Sequence, residues 1–200
     1  MTQRILSLLF AIIGWFSVIT QYYLTVKNSQ ISFMETIIRF FSYFTILTNL
    51  IVAIYFTLQT FNGLPKNKKP GTLTAITIYI LIVGLVYQII LRSTWNPTGL
   101  QRLIDELLHT IIPALVLIYW CLYENKNHLT YRQIPSWAIY PLLYLFCILI
   151  RGYFSDFYPY PFVNVVDLGY LKVLISCFWI LVLFVVLSML FIRIGKSLSR

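Results

Sequence analysis

The stretch RFFSYFTILTN, Arg39 to Asn49, places polar side chains inside an apolar segment that runs from about residue 33 to residue 61. Polar residues recur along this segment at intervals of 4, 3, 3 and 4, and they are Glu35, Arg39, Ser42, Thr45 and Asn49. Such intervals bring side chains onto one face of an α-helix, here with Thr48 beside them. The pattern predicts a membrane helix that turns one polar face away from lipid.

The composition of the whole chain agrees with a membrane protein. The 200 residues are 60% hydrophobic and only 10% charged, with a mean hydropathy of +0.82, which is not typical of a soluble domain. A bilayer core requires about 20 mostly apolar residues per helix. Six segments meet this requirement, at about 5–26, 34–60, 72–92, 103–123, 136–154 and 166–192. We therefore predict an all-α fold, a compact bundle of six transmembrane helices that forms one domain over residues 1–200.

The net charge of +9 follows the predicted membrane topology and does not indicate nucleic-acid binding. Nine basic residues, accompanied only by Glu124, fall on one side of the predicted bundle: Arg4, Lys66, Lys68, Lys69, Lys126, Arg132, Arg193, Lys196 and Arg200. The other side carries six basic and five acidic residues. Because basic loops stay in the cytoplasm, both termini are predicted to be cytoplasmic.

The fourth segment contains a second polar face, in RLIDELLHTIIP at residues 102–113. Asp105 lies four residues before His109, and Glu106 lies three residues before it, so either carboxylate is close enough to orient the imidazole ring. His109 is the only histidine in a predicted membrane segment, because His128 falls in a basic loop. A single histidine in a membrane helix is about as often a structural hydrogen-bonding residue as a catalytic one.

The predicted depths of Thr45 and His109 favour catalysis. Both helices run inward from the outer side, and Thr45 lies about 9 Å below Arg39 at 1.5 Å per residue. By the same rise, His109 lies about 10 Å below Arg102. A hydroxyl and an imidazole at matching depth predict a polar pocket in the outer half of the bilayer.

Several other chemistries lack their sequence signatures. The chain contains no GxSxG, HExxH or GxGxxG motif and no phosphate-binding glycine loop. Cys121, Cys147 and Cys177 stand singly in apolar segments, without the spacing of metal ligands or disulfides. One membrane histidine with scattered carboxylates is a weak metal signature. We expect no cofactor and no metal.

Several motifs together resemble the predicted six-transmembrane protein family of bacteria. They are FFSYFTILTNL in the second segment, WNPTGLQ before the fourth, LLHTIIPAL within it and RGYFSDFYPYPF after the fifth. The resemblance covers nearly the whole chain, and it implies a bacterial inner membrane. That family is similar to the animal androgen-induced membrane proteins, which are intramembrane threonine hydrolases of fatty acid esters of hydroxy fatty acids.

The resemblance implies a nucleophile and a base for this chain. The phenylalanine-rich stretch that holds the animal proteins' catalytic threonine falls on SYFTILTNLIVAIYF and places the nucleophile at Thr45, with Thr48 as a competing register. Their catalytic histidine opens an HT pair, which matches His109 and Thr110. The implied activity is hydrolysis of a lipid acyl ester within the bilayer.

The remaining polar residues are expected to assist this chemistry. Asp105 or Asp167 would fix the imidazole tautomer, and Asn49 or Thr48 would stabilise an oxyanion. Substrate contacts are expected from polar residues of the outer half, namely Arg39, Arg151, Gln88 and Tyr144.

Two other function classes remain open. A non-catalytic lipid-binding or assembly protein would tolerate loss of Thr45. A small transporter or proton-coupled channel would use the same Arg, Asp and His residues as a relay, but it would need polar groups through to the inner half. The inner halves, such as LIVAIYF and ALVLIYW, contain no ionisable residue other than tyrosine.

Overall fold

The structure, a computed structural model, describes residues 1–62 and 70–198, and every regular element in these ranges is helical. Within them, six helical segments are long and apolar enough to cross a bilayer, which fits an integral membrane protein. They are Thr2–Lys27, Phe44–Phe61, Thr72–Leu91, Gly99–Tyr123, Tyr131–Ser155 and Val165–Leu198. The prediction of an all-α protein with six candidate membrane helices is confirmed, and the cytoplasmic position of the termini stays a prediction. Lys66, Lys68, Lys69 and Arg200, which support that topology, lie outside the described residues.

The chain divides into two compact units, Met1–Asn125 and Lys126–Arg200. The assignment of all 200 residues to one domain therefore stays a prediction. The helices of the first unit are α1 (Thr2–Lys27), α2 (Phe33–Phe40), α3 (Phe44–Asn62), α4 (Thr72–Val86), α5 (Gly99–Glu106) and α6 (Ile112–Tyr123). A first π-helical segment, Tyr87–Leu91, continues α4, and a second, Leu107–Ile111, joins α5 to α6.

Small residues bring α1 and α3 close together. Ser7, Ala11, Gly14 and Ser17 are all buried on α1. A Cβ atom added to Gly14 would lie 3.0 Å from the Cβ of Ala53 on α3. Helices in lipid gain most from close van der Waals packing, so this stripe of small side chains is where the two helices approach.

Helix α4 packs against α3 and α6 and is buried almost all round. Its sequence is apolar on every face, as expected of a helix in the centre of a bundle. Glu124, which follows α6, accepts hydrogen bonds from the backbone N–H of Thr74 at 2.9 Å and from its hydroxyl at 3.1 Å. The carboxylate thereby stabilises the positive end of the α4 dipole.

The second predicted segment is interrupted and does not form one continuous helix. Helix α2 ends at Phe40 and α3 begins at Phe44, although the sequence between them contains neither glycine nor proline. Ser42 donates its hydroxyl to the Ile38 carbonyl at 2.6 Å, and such back-bonding weakens regular helix. Phe40 is buried in a cluster with Val18 and Leu108. Tertiary packing therefore favours the break, and Arg39 and Thr45 belong to different helices.

The second π-helical segment has a local cause in Pro113. Proline lacks the N–H that would bond the carbonyl four residues earlier, and its ring crowds that carbonyl, which here belongs to His109. The freed carbonyl points at Gly84 of α4, where an added Cβ would lie 3.0 Å from the His109 oxygen. A glycine at this position lets α4 approach the segment that carries the histidine.

The second unit contains two long helices, α7 (Ile134–Ser155) and α8 (Val165–Leu198). Short 3-10 turns at Lys126–His128, Tyr131–Gln133 and Pro161–Val163 precede them. Gly169 has a non-helical backbone (φ 73°, ψ 158°) that kinks α8 near its start. Within this unit, Ile148, Val163 and Val173 form a small buried cluster.

Candidate functional site

Thr45 and His109 meet in the first unit. The Thr45 hydroxyl oxygen lies 3.4 Å from Nε2 of His109, although the two residues are 64 positions apart in the chain. Thr45 is the second residue of α3 and is 8% exposed, and His109 is the central residue of the second π-helical segment. The structure thus brings together the hydroxyl and the imidazole that the sequence placed at one depth.

The other imidazole nitrogen faces Asp105. Nδ1 of His109 lies 2.9 Å from the main-chain oxygen of Asp105 and 3.3 Å from its carboxylate oxygen Oδ1. A carbonyl oxygen can only accept a hydrogen bond, so Nδ1 carries the proton. In the neutral imidazole Nε2 then keeps its lone pair, directed at Thr45, which is the tautomer a general base requires. Asp105, and not Glu106, is therefore the acidic partner of His109.

Tyr87 is a residue of this site that the sequence analysis missed. Its hydroxyl donates a hydrogen bond to Oδ2 of Asp105. Its ring stacks on the imidazole of His109, with centroids 4.1 Å apart and an interplanar angle of 14°. The only sequence signal for Tyr87 is that it is a single tyrosine in the apolar run LIVGLVYQII. It lies three residues after Gly84, the glycine that allows α4 to approach the second π-helical segment.

Asn49 bonds to the main chain of both segments that carry Thr45 and His109. Its side-chain Nδ2 donates to the carbonyl of Thr45 at 2.9 Å and to that of Leu108 at 3.4 Å. Both amide hydrogens face carbonyl oxygens, so the expected role as an oxyanion donor is not what this geometry provides. Oδ1 of Asn49 is buried without a hydrogen-bond partner among the described residues. Thr48, the competing nucleophile, is fully buried on α3.

Next to this buried set lies an exposed polar network at the two π-helical segments. Arg92 donates to Gln88 at 2.7 Å and pairs with Glu106 at 2.5 Å. Gln88 donates to the hydroxyl of Thr110 at 2.8 Å, and Thr110 donates to Glu106 at 2.8 Å. The predicted substrate contact Gln88 therefore lies beside the site, as the neighbour of Tyr87.

The other predicted residues have contacts within their own units. Arg39 on α2 forms an ion pair with Glu35 at 2.7 Å. Asp167, Arg151 and Tyr144 belong to the second unit. There, Asp167 accepts from Asn164 at 2.5 Å, Arg151 lies 5.0 Å from the Phe157 ring centroid, and Tyr144 packs against the buried cluster at Ile148.

No protein-family model matches this chain, and no curated protein or solved structure shows significant similarity to it. The family resemblance in the sequence motifs therefore stays a prediction. Any function assigned to the site rests on the chain's own geometry and chemistry.

Proposed function

We propose that this protein is an intramembrane hydrolase of lipid acyl esters, with Thr45 as nucleophile and His109 as base. The observation that carries the proposal is the contact between the Thr45 hydroxyl and Nε2 of His109, whose Nδ1 faces the main-chain oxygen of Asp105. A threonine hydroxyl is a weak nucleophile unless an adjacent base accepts its proton. A separation of 3.4 Å is long for a hydrogen bond, and it has to shorten for proton transfer.

In the acylation half-reaction, Nε2 of His109 takes the Thr45 proton while the hydroxyl oxygen attacks the ester carbonyl. The tetrahedral intermediate collapses when its carbon–oxygen bond to the alcohol breaks, and His109 returns the proton to the departing alkoxide. Thr45 is left as an acyl ester. Asp105 stabilises the imidazolium that forms during each transfer.

In the second half-reaction, His109 accepts a proton from water, and the resulting hydroxide attacks the acyl-Thr45 carbonyl. Collapse of this intermediate releases the fatty acid, and the proton returns from His109 to the Thr45 oxygen. The enzyme is regenerated with no change in oxidation state. One hydroxyl, one imidazole and one water are sufficient for the complete cycle.

Thr45 stands in the first turn of α3, and this position supports the charged intermediate. The backbone N–H groups at the start of a helix and the helix dipole both favour negative charge. The break between Phe40 and Phe44 creates this helix start in the middle of an apolar segment. Oxyanion stabilisation by oriented dipoles is worth most where water is scarce.

The surroundings of the site favour a lipid substrate. Thr45 and His109 lie beside an apolar cluster formed by Phe40, Ile46, Leu108 and neighbours on α1, α2, α3 and α5. Since the helices that carry the pair are candidate membrane spans, an acyl chain would reach the site from the bilayer. The proposed location is a bacterial inner membrane, with the site in the outer half and both termini in the cytoplasm.

Turnover of fatty-acyl 4-nitrophenyl esters by protein purified in detergent tests this proposal. Thr45→Ala and His109→Ala should each lower kcat/KM by at least about 1,000-fold, because each removes an obligatory group. Thr48→Ala, three residues along the same helix, is the matched control and should keep most of the activity. The thermal stability of each variant is measured in the same detergent, and only variants as stable as the wild type are compared.

Two outcomes would contradict the assignment. Loss of turnover in Thr48→Ala alone would move the nucleophile to Thr48. A folded wild-type protein without turnover would contradict the hydrolase, and lipid binding or transport that persists in Thr45→Ala would then favour the alternative classes.

A further inference from the structure

Tyr87 contacts both members of the acid–imidazole pair from a neighbouring helix. It is 4% exposed and opens the first π-helical segment, opposite the second π-helical segment that carries His109. A π-helical turn is rare, and it shifts the side chains that follow it around the helix axis. Two such turns face each other here, and Tyr87 and His109 meet between them.

The Tyr87 hydroxyl fixes the carboxylate of Asp105. It donates to Oδ2, while Oδ1 of the same group faces Nδ1 of His109 at 3.3 Å. Rotation of the second oxygen away from the imidazole would break this hydrogen bond. Because the hydroxyl is neutral, it orients the carboxylate without cancelling its charge.

The Tyr87 ring fixes the plane of the imidazole. The two rings are nearly parallel, with centroids 4.1 Å apart, so rotation of the imidazole out of this plane would press it into the tyrosine. In the stacked orientation Nε2 points to Thr45 and Nδ1 points to Asp105. Small losses of alignment between reacting groups cost large factors in rate.

Contacts around Tyr87 hold the ring in turn. The guanidinium carbon of Arg92 lies 6.0 Å from its centroid, and Gln88, the next residue, is bonded to Thr110, the residue after His109. The first π-helical segment is therefore hydrogen-bonded at two points, through Tyr87 to Asp105 near the end of α5 and through Gln88 to Thr110 in the second π-helical segment. The ring has little freedom to leave the histidine.

From these contacts we infer that Tyr87 is a positioning residue for the reaction, which orients His109 through its ring and Asp105 through its hydroxyl. This inference rests on the proposed function. It assigns two separable roles to one side chain, and substitutions at Tyr87 can remove them one at a time.

Tyr87→Phe keeps the stacked ring and removes the hydroxyl, whereas Tyr87→Leu removes both. We expect kcat for ester hydrolysis to fall about 10-fold in the first and at least about 100-fold in the second, with KM nearly unchanged. Tyr79→Phe and Tyr79→Leu are matched controls, since Tyr79 is a buried tyrosine two turns earlier on α4. They should leave kcat close to the wild-type value.

Proton NMR of protein with ring-labelled histidine gives a readout that does not require catalysis. The chain has only two histidines, so His128→Gln leaves the His109 signal alone. The stacked ring should shift the His109 Hε1 resonance upfield in the wild type and in Tyr87→Phe, and the shift should disappear in Tyr87→Leu.

The outcomes separate this inference from the proposed function. A wild type that turns over ester while both Tyr87 variants keep its kcat would overturn the positioning role alone. An Hε1 resonance that does not move in Tyr87→Leu would overturn the stacking on which the role depends. A wild type without turnover would overturn the hydrolase and the positioning role together, even where the NMR shift confirms the stacked geometry.

Discussion

Replacing Asp105 with asparagine removes one negative charge beside His109 and leaves the main chain in place. In the native protein the Nδ1 proton has two acceptors, the Asp105 carbonyl at 2.9 Å and the carboxylate at 3.3 Å. The shorter contact is made by the carbonyl, which the substitution keeps. We therefore expect the tautomer to survive in Asp105→Asn and only the electrostatic stabilisation of the imidazolium to be lost.

The size of the loss follows from this division of roles. A hydrogen bond to a charged group contributes about 1.5–3 kcal/mol, which corresponds to about 10- to 160-fold in rate. Where an aspartate alone holds the tautomer, the same substitution lowers kcat by about 10⁴-fold. The loss of kcat in Asp105→Asn should be about 10- to 160-fold and not about 10⁴-fold, because the main-chain carbonyl of residue 105 still accepts a hydrogen bond from His109.

The assay is steady-state hydrolysis of a fatty-acyl 4-nitrophenyl ester in detergent, with kcat and KM determined separately. Glu106→Gln is the matched control, since Glu106 is the adjacent carboxylate and pairs with Arg92 at the surface. An exposed ion pair contributes at most about 1 kcal/mol, so kcat should fall no more than about fivefold.

Two results would refute the reasoning. A loss near 10⁴-fold in Asp105→Asn would mean that the carboxylate, and not the carbonyl, holds the Nδ1 proton. Equal and small losses in Asp105→Asn and Glu106→Gln would mean that Asp105 does not assist His109.

Three further substitutions test the packing that positions the site. Gly84→Ala places a methyl group 3.0 Å from the main-chain oxygen of His109, so kcat should fall and the unfolding free energy should drop by about 1–3 kcal/mol, measured by thermal or SDS unfolding in mixed micelles. Gly14→Leu forces α1 away from α3 and should lower the unfolding midpoint more than Gly84→Ala does. An unchanged midpoint in Gly14→Leu would contradict the contact between α1 and α3. Glu124→Ala removes both hydrogen bonds to Thr74 at the start of α4, and a loss of about 1 kcal/mol in stability with kcat unchanged is expected; unchanged stability would contradict the cap.

Much of the site follows from helical spacing alone. Helical spacing predicts that Asp105 or Glu106 contacts His109. A continuous rise per residue predicts that Thr45 and His109 share a depth, although the break before Phe44 interrupts the helix on which that estimate depends. In the structure, the Thr45 hydroxyl oxygen lies 3.4 Å from Nε2 of His109. The six apolar segments correspond to six helical segments that are long enough to cross a membrane. These features depend on local geometry and hydrophobicity, which a single sequence records.

The features that the sequence does not predict depend on contacts between helices. The break between Phe40 and Phe44 has no glycine or proline to mark it in the sequence, and burial of Phe40 between helices accompanies it. The apolar sequence predicts regular α-helix where the π-helical segments occur, and therefore does not predict the approach of Tyr87 to His109. The sequence features most closely related to the second π-helical segment are Pro113 and Gly84. Pro113 cannot donate a hydrogen bond to the His109 carbonyl, and Gly84 leaves space for that carbonyl.

The most direct test of the central claim is to find which residue a reactive acyl mimic modifies. A lipophilic fluorophosphonate is attacked by an activated hydroxyl, with loss of fluoride, and the modified peptide can be identified by mass spectrometry. The account predicts a phosphonylated Thr45 in the wild type and in Thr48→Ala, and no modification in Thr45→Ala or His109→Ala. An adduct on Thr48, or a folded wild-type protein without an adduct, would contradict it.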